Sequence, residues 1–222
     1  MAVSTEANQI VASSVSGVFA HWRRGNVDFK MGGILVSGGL VGSSIGVLLF
    51  SILRDIGQID LVIRLSYVVF LGITGVLMLM ESARAILRTR QPGAKRGKLH
   101  QHNWLHGLPL KVRFRKSKLY ISALLPFFLA AFVGVLSAIM GVGGGFILVP
   151  AMIYLLGMPT YTVIGTSLFQ IIFVTANITI LQSVQTQTVD FVLAGLLLVG
   201  AVIGAQFGAR VGALLRGEQL RG

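Results

Sequence analysis

Gly141-Val142-Gly143-Gly144-Gly145-Phe146-Ile147-Leu148-Val149-Pro150, with Gly165-Thr166-Ser167-Leu168-Phe169-Gln170 shortly after it, is the stretch whose reading decides the fold. Each glycine gives up helix propensity. Pro150 lacks an N–H and suits the first turn of a helix. The pattern therefore predicts a helix that ends near Met140, a non-helical crossing through Gly143, Gly144 and Gly145, and a helix that restarts close to Pro150. Irregular backbone at membrane depth is tolerated only where protein buries it or where it lines a wet cavity. Broken helices of this kind build the midplane sites of secondary transporters, where a half-helix N-terminus offers N–H groups to an anion. The competing reading is a small-residue contact that lets two helices pack closely.

The surrounding composition places the stretch in a membrane. Of 222 residues, 54% are hydrophobic and 12% charged, and the mean hydropathy is +0.81. Soluble domains carry about a quarter charged residues. Cysteine is absent, which removes disulfides and thiolate chemistry. The net charge of +12 is concentrated: eleven of the nineteen Lys and Arg lie between Arg84 and Lys118, with no acid among them. That is a juxtamembrane loop obeying the positive-inside rule. No nucleic-acid-reading motif accompanies it, so no nucleic-acid partner is expected.

Taken in order, residues 2–22 read as a membrane helix with a polar stripe, followed by a basic turn at Arg23, Arg24 and Lys30. Residues 31–53 and 61–83 are the next two spans. Segment 88–118 is the one long loop; Leu110 to Arg115 alternates apolar and basic residues and predicts a short extended piece lying on the headgroups. His100, His102 and His106 lie close together there, but no carboxylate or thiol joins them, so no metal is expected. Residues 119–140 span next, with a bend at Pro126. Gly145 to Leu156 is too short to cross ~30 Å of hydrocarbon and predicts a half-span. Residues 161–184 and 189–211 are the last two spans.

The chain repeats itself. With Thr5 set against Thr166, Gln9 falls on Gln170; after one gap, Val27-Asp28-Phe29 falls on Val189-Asp190-Phe191, and Gly38, Gly42 and Gly46 on Gly200, Gly204 and Gly208. Agreement at a fixed offset is internal duplication, and the glycine ladders read as helix-packing seams. With the 89–118 loop placed in the cytoplasm, seventeen of nineteen basic residues come out on that side, and the two copies are inverted relative to each other. The domains expected are 1–88, a remnant of the first repeat; 89–118, the basic cytoplasmic loop; and 119–222, the second repeat. The fold class is all-α: a polytopic membrane protein of inverted-topology helical repeats with a glycine-broken membrane hairpin.

Polar residues in membrane helices face protein or cavities. Thr166, Gln170 and Asn177 share one face of an ideal helix, as do Thr5, Gln9 and Ser16 in the first copy. Ser16 and Asn177 are read as interhelical hydrogen-bonding residues. The substrate-binding candidates are Gly143, Gly144, Gly145, Thr166, Ser167, Gln170, Thr5 and Gln9. Gln182, about 160° around the helix from Thr166, falls on the opposite side. Glu6 is the carboxylate placed well inside a span, and its expected role is proton coupling. No catalytic constellation appears, and no phosphate loop, since Gly141–Gly145 lacks the Gly-Lys-Ser/Thr ending. An enzyme is not expected, nor is a cofactor.

Residues 141–170, Gly-Val-Gly-Gly-Gly-Phe through Val149-Pro150, Gly157-Met158-Pro159 and Gly165-Thr166-Ser167 to Gln170, resemble the second-repeat signature of the TauE/SafE family, the sulfite-exporter-like permeases. Ala2 to Gln9 and on through Arg23 to Asp28 resembles the later part of that family's first repeat. The resemblance implies an inner-membrane secondary transporter that exports a small sulfur-containing anion such as sulfite or an organosulfonate. Its partners would be the lipid bilayer and the anion, and a homo-oligomer is compatible with it. The family carries a glycine-rich break before the first copy and a last span after the second. Neither is found here, so the expectation is a chain truncated at both ends. The alternative is a non-transporting membrane subunit or a nonfunctional truncated remnant of such a permease.

Overall fold

The computed structural model describes residues 2–89, 111–114, 116–117, 119–141, 143–186 and 199–208. They form α1 (Ala2–Arg23), α2 (Phe29–Asp55), α3 (Ile59–Thr89), β1 (Lys111–Phe114), β2 (Leu119–Ser122), α4 (Leu124–Met140), α5 (Gly145–Tyr154), α6 (Thr160–Thr186) and α7 (Val199–Gly208). The fold is all-α apart from one small hairpin. Among the described residues α2, α3 over Ile59–Val76 and α6 over Thr160–Val184 are long and apolar enough to cross a membrane. Large apolar side chains on the outer faces, such as Leu48, Leu65, Val68 and Ile180, are exposed, as lipid-facing positions should be.

At the centre is α2. On one side its glycines meet the backbone of α4. A Cβ on Gly38 would collide with the carbonyl of Phe127, one on Gly42 with the carbonyl of Ala131, and one on Gly46 would lie 2.7 Å from the Ala138 methyl. Gly134 of α4 returns the favour: its missing Cβ would lie 2.6 Å from the Gly39 carbonyl oxygen. Small residues are what allow such approach in a medium that supplies no hydrophobic force between helices. On its other side α2 meets α6: a Cβ on Gly39 would lie 2.5 Å from a Val174 methyl, and Asn177 donates to Ser43 Oγ at 2.9 Å and Ser44 Oγ at 3.2 Å. The expected hydrogen-bonding role of Asn177 is thus visible. α1 packs on α6, with Gly17 opposite Leu168. The first-copy glycine ladder is the packing seam read from sequence. Gly200, Gly204 and Gly208 of α7 have nothing within 4 Å of a built Cβ among the described residues.

Three boundaries differ from the sequence reading. The short helix restarts at Gly145, not at Pro150, which lies inside it as the sixth residue. Gly144 at φ 67° turns the chain, and its carbonyl accepts the N–H groups of Ile147 at 3.2 Å and Leu148 at 2.9 Å. Helix can therefore form at once, and the proline costs only the bond to Phe146. At ten residues, α5 is about 15 Å long, a half-span as expected. Second, the fourth helix begins at Leu124, because Leu119–Ser122 forms a strand. Third, the basic alternating piece does not simply lie on headgroups. It pairs antiparallel with β2, Val112 opposite Ile121 and Phe114 opposite Leu119, and Phe114 is 1% exposed in the core beside Met31 and Leu35. Pro126 is the third residue of α4, in its first turn, where a missing N–H costs little. His100, His102 and His106 lie outside the described residues.

Asp28 fastens the hairpin to the helices. It caps α2, its Oδ1 accepting the N–H groups of Lys30 and Met31 at 3.2 Å. Its Oδ2 accepts Ser117 N–H at 3.1 Å and Ser117 O–H at 2.7 Å. Its own N–H donates to Thr166 Oγ1 at 3.1 Å. A carboxylate with four donors is worth more than an ordinary cap of about 1 kcal/mol.

Filling the α2–α4 seam should break the fold selectively. Gly42→Ile should cost at least the ~1–3 kcal/mol of overpacking and greatly lower the yield of monodisperse protein. Gly33→Ile, on an exposed stretch of the same helix with nothing within 4 Å, should express as the parent does. Size-exclusion yield and thermal melting of the pair check this.

Candidate anion site at the helix break

α4 ends on Gly141, whose N–H reaches Ser137 O at 2.8 Å in the left-handed conformation, φ 78°. Gly143 and Gly144 are also left-handed, at φ 72° and 67°. L-residues rarely adopt that region, so consecutive positions there demand glycine. The reversal brings the start of α5 under α4. The N–H groups of Gly145 and Phe146 then have no carbonyl four residues back to bond, as at any helix start. At the other side of the break the carbonyl of Met140 accepts Tyr67 O–H at 3.1 Å, which ties α3 to the same place.

The walls around the glycines are close. A Cβ on Gly143 would lie 3.0 Å from the Ile10 side chain and 3.4 Å from Thr175 Oγ1. One on Gly144 would lie 3.0 Å from Val133 and 3.4 Å from Ser137 Oγ; one on Gly145, 2.7 Å from Ile171. Two of these neighbours are hydroxyls. Ser137 is 2% and Thr175 1% exposed, and neither hydroxyl has a hydrogen-bond partner among the described residues. Buried polar groups are nearly always paired, and leaving one unpaired costs about 1–3 kcal/mol. Other helical hydroxyls here bond their own backbone: Ser43 to Leu40 O at 3.1 Å, Thr179 to Thr175 O at 2.9 Å. The two beside the break do not. One from α4 and one from α6, they lie beside Gly144 and Gly143, immediately before the start of α5. Hydroxyls and amide N–H groups together donate to a small anion that has no proton to offer.

The residues expected from the sequence fall in two groups. Gly143, Gly144 and Gly145 are the break itself. Thr166, Ser167 and Gln170 lie elsewhere. Thr166 is fully buried and its oxygen accepts the Asp28 N–H. Ser167 O–H donates to Ile164 O at 3.0 Å. Gln170, 2% exposed, has its amide nitrogen 2.6 Å from where a Gly39 Cβ would be. Thr166, Gln170 and Asn177 meet α2 or the Asp28 cap before it. Thr175 stands about 180° around α6 from Thr166, and so does most of the contact with the break. Gln182 shares that side: it is buried and donates to Ala138 O of α4 at 3.4 Å. Thr5, Glu6 and Gln9 lie in α1, and their side chains are outside the described residues. Ile10 follows Gln9 directly and touches the break. Sequence reading passed over Ser137 because it is a lone hydroxyl among apolar neighbours, and Thr175 because the polar stripe of Thr166, Gln170 and Asn177 lies on the other side of the same helix. The available signal was proximity: Ser137 lies four residues before Gly141.

Comparison with known proteins agrees with this architecture. The family model "Sulfite exporter TauE/SafE" matches residues 1–222. The chain belongs to the TauE/SafE family. A probable membrane transporter protein of Xylella fastidiosa (strain 9a5c) is 29% identical over 214 residues, which cover 94% of this chain and 68% of the relative. The probable membrane transporter protein YunE of Bacillus subtilis (strain 168) is 27% identical over 223 residues, 95% of this chain and 71% of the relative. No solved structure matches. As a TauE/SafE protein with long apolar helices, the chain is an integral membrane protein of a transporter family.

If the two hydroxyls are kept unpaired for a ligand, removing them should not weaken the fold. Ser137→Ala and Thr175→Val should leave the melting temperature unchanged or raise it by a few degrees, since ~1 kcal/mol of desolvation is relieved at about 2–4 °C per kcal/mol. Each should weaken anion transport roughly tenfold or more, the worth of a hydrogen bond to a charged group. Thermal melts and flux measured on the same preparations separate this from a packing role, which would lower both.

Proposed function

We propose that the protein is a secondary transporter that moves a small sulfur-containing anion, such as sulfite or an organosulfonate, outward across the inner membrane. The observation that carries the reading is the pair of buried hydroxyls, Ser137 and Thr175, that have no hydrogen-bond partner among the described residues and lie beside the glycines before a half-length membrane helix. Family membership and the printed name of the family support sulfur. Gly143, Gly144 and Gly145 shape the site, and Ser137 and Thr175 donate to the oxyanion. Thr166 and Gln170 hold α6 against α2 and its cap, so that Thr175 is presented to the break, while Ser167 bonds its own helix at Ile164 O. Thr5 and Gln9, in the helix that touches Gly143 through Ile10, are proposed as the first copy's contribution. Glu6, one turn before Ile10, is proposed to couple transport to protons.

The decisive assay is sulfite efflux from proteoliposomes. Protein-containing vesicles should release sulfite several times faster than empty ones, and Glu6→Gln should flatten the dependence of the rate on pH. Equal release with and without protein, for sulfite and for a sulfonate, would remove the substrate assignment. An unchanged pH profile in Glu6→Gln would remove the coupling role.

A second reading, a membrane subunit that does not transport by itself, draws on the bare glycines of α7. Gly38, Gly42 and Gly46 grip α4, whereas Gly200, Gly204 and Gly208 have no neighbour among the described residues. On that reading the chain inserts and folds normally but gives no flux alone.

We also place the 89–118 segment in the cytoplasm, with the two copies inverted, on the strength of the basic residues counted there. Lys116, exposed at the hairpin turn while Ser117 beside it is buried, is the position to label. Lys116→Cys should resist an impermeant thiol reagent applied to intact cells and react after the cells are opened. Ready labelling from outside would reverse the orientation.

A further inference from the structure

Three helices begin on one face of the molecule. Gly38 of α2 meets Phe127 near the start of α4, and Gly46 meets Ala138 near its end. Thr166 of α6 bonds the Asp28 that caps α2, and Asn177 reaches Ser43 further along. So α2, α4 and α6 run the same way. The β1–β2 hairpin, bonded to Asp28 through Ser117, lies at their common starting face. From there α4 carries the chain ~25 Å to the break. Because α6 starts again at the hairpin face, α5 returns from the break toward it.

The way back is apolar. Met31 and Leu35 of α2, Leu148 and Met152 of α5, and Leu156 beyond it belong to one buried cluster, and Phe114 of β1 is buried in the same cluster. The hairpin is shaped to sit there. Val112 and Phe114 occupy one side of β1, their partners Ile121 and Leu119 the same side of β2, and all four join the cluster. The other side carries Arg113 and Tyr120, both exposed. A two-stranded hairpin is marginally stable in water by itself. Its place here therefore depends on that apolar side and on the bonds between Asp28 and Ser117. Hydrocarbon side chains separate the break from the hairpin face, and a charge does not cross such a layer without water or a partner.

We propose that the hairpin is the gate that closes the anion path on this face, with Phe114 as its plug and Asp28–Ser117 as its latch. The assignment rests on the reading of the break as the transport site. In the closed state seen here Phe114 completes the apolar cluster. Release of Ser117 from Asp28 lets the hairpin withdraw Phe114 and brings water to Met152. Only Ala123 separates β2 from α4, so the gate hinges on the helix that carries Ser137.

The test is maleimide labelling of a single introduced cysteine in nanodiscs, the natural chain having none. Met152→Cys reports on the cluster. Val174→Cys, buried on α6 against Gly39 of α2, reports on general loosening of the fold. Ser117→Ala removes a hydroxyl bond to a carboxylate and leaves the plug intact. It should speed labelling at position 152 tenfold or more, the worth of one hydrogen bond to a charged group, and leave the rate at position 174 unchanged. Should Ser117→Ala fail to fold, Phe114→Leu, a smaller plug, gives the same comparison. An unchanged rate at 152 would overturn the gate. So would equal acceleration at both positions, which would show a loosened fold. The labelling is done without any anion, so a failure of sulfite efflux counts against the transport site and a failure of labelling against the gate.

Discussion

The backbones of α2 and α4 approach one another because Gly38, Gly42 and Gly46 carry no side chain there. In lipid no hydrophobic force draws helices together, so this contact rests on van der Waals attraction between close surfaces. Everything at the helix break depends on it. α4 delivers Ser137 and the three left-handed glycines, and its position is fixed by α2. The other side of α2 holds α6, through Gly39, Ser43, Ser44 and Asn177, and α6 delivers Thr175. Hydroxyls from two helices that are not sequence neighbours come beside consecutive glycines of the break because both helices are registered against a third.

The same arrangement shows what the polar stripe along α6 meets. Helical periodicity tells which residues share a face. It does not tell what that face meets. Thr166, Gln170 and Asn177 form a clear polar stripe, and the stripe is used to grip α2 and the Asp28 cap. The face toward the break is mostly apolar, with Ile171 and a single hydroxyl at Thr175. The glycine break itself was legible, since four glycines and a proline in ten residues leave few backbone options. So were the α2, α3 and α6 spans, set by runs of apolar residues, and the first glycine ladder as a seam.

Other features needed the tertiary structure. The alternation over Leu110 to Arg115 was visible as extended chain, but the burial of Phe114 depends on β2 and on the helix ends beneath it. Asp28 entered the sequence reading only through the repeat, and the structure makes it the cap of α2. Its further bonds to Ser117 and Thr166 join residues 89 and 138 positions away, a distance over which local pattern is silent. Pro150 was read as a start signal, and it stands inside α5 because Gly144 had already turned the chain. For Phe114 and Asp28 it is a neighbour distant in sequence that decides the role; for Pro150 it is the turn made six residues earlier.

The central claim is that the break binds an anion through Ser137 and Thr175. Selenite, a heavier relative of sulfite, gives an anomalous diffraction signal that locates it directly in crystals of the protein. The account predicts a selenium peak about 4 Å from Ser137 Oγ, Thr175 Oγ1 and the N–H groups of Gly145 and Phe146, one Se–O bond beyond the hydrogen-bonding oxygens. A peak along Thr166 and Gln170 instead, with ordered water on the two hydroxyls, would contradict it.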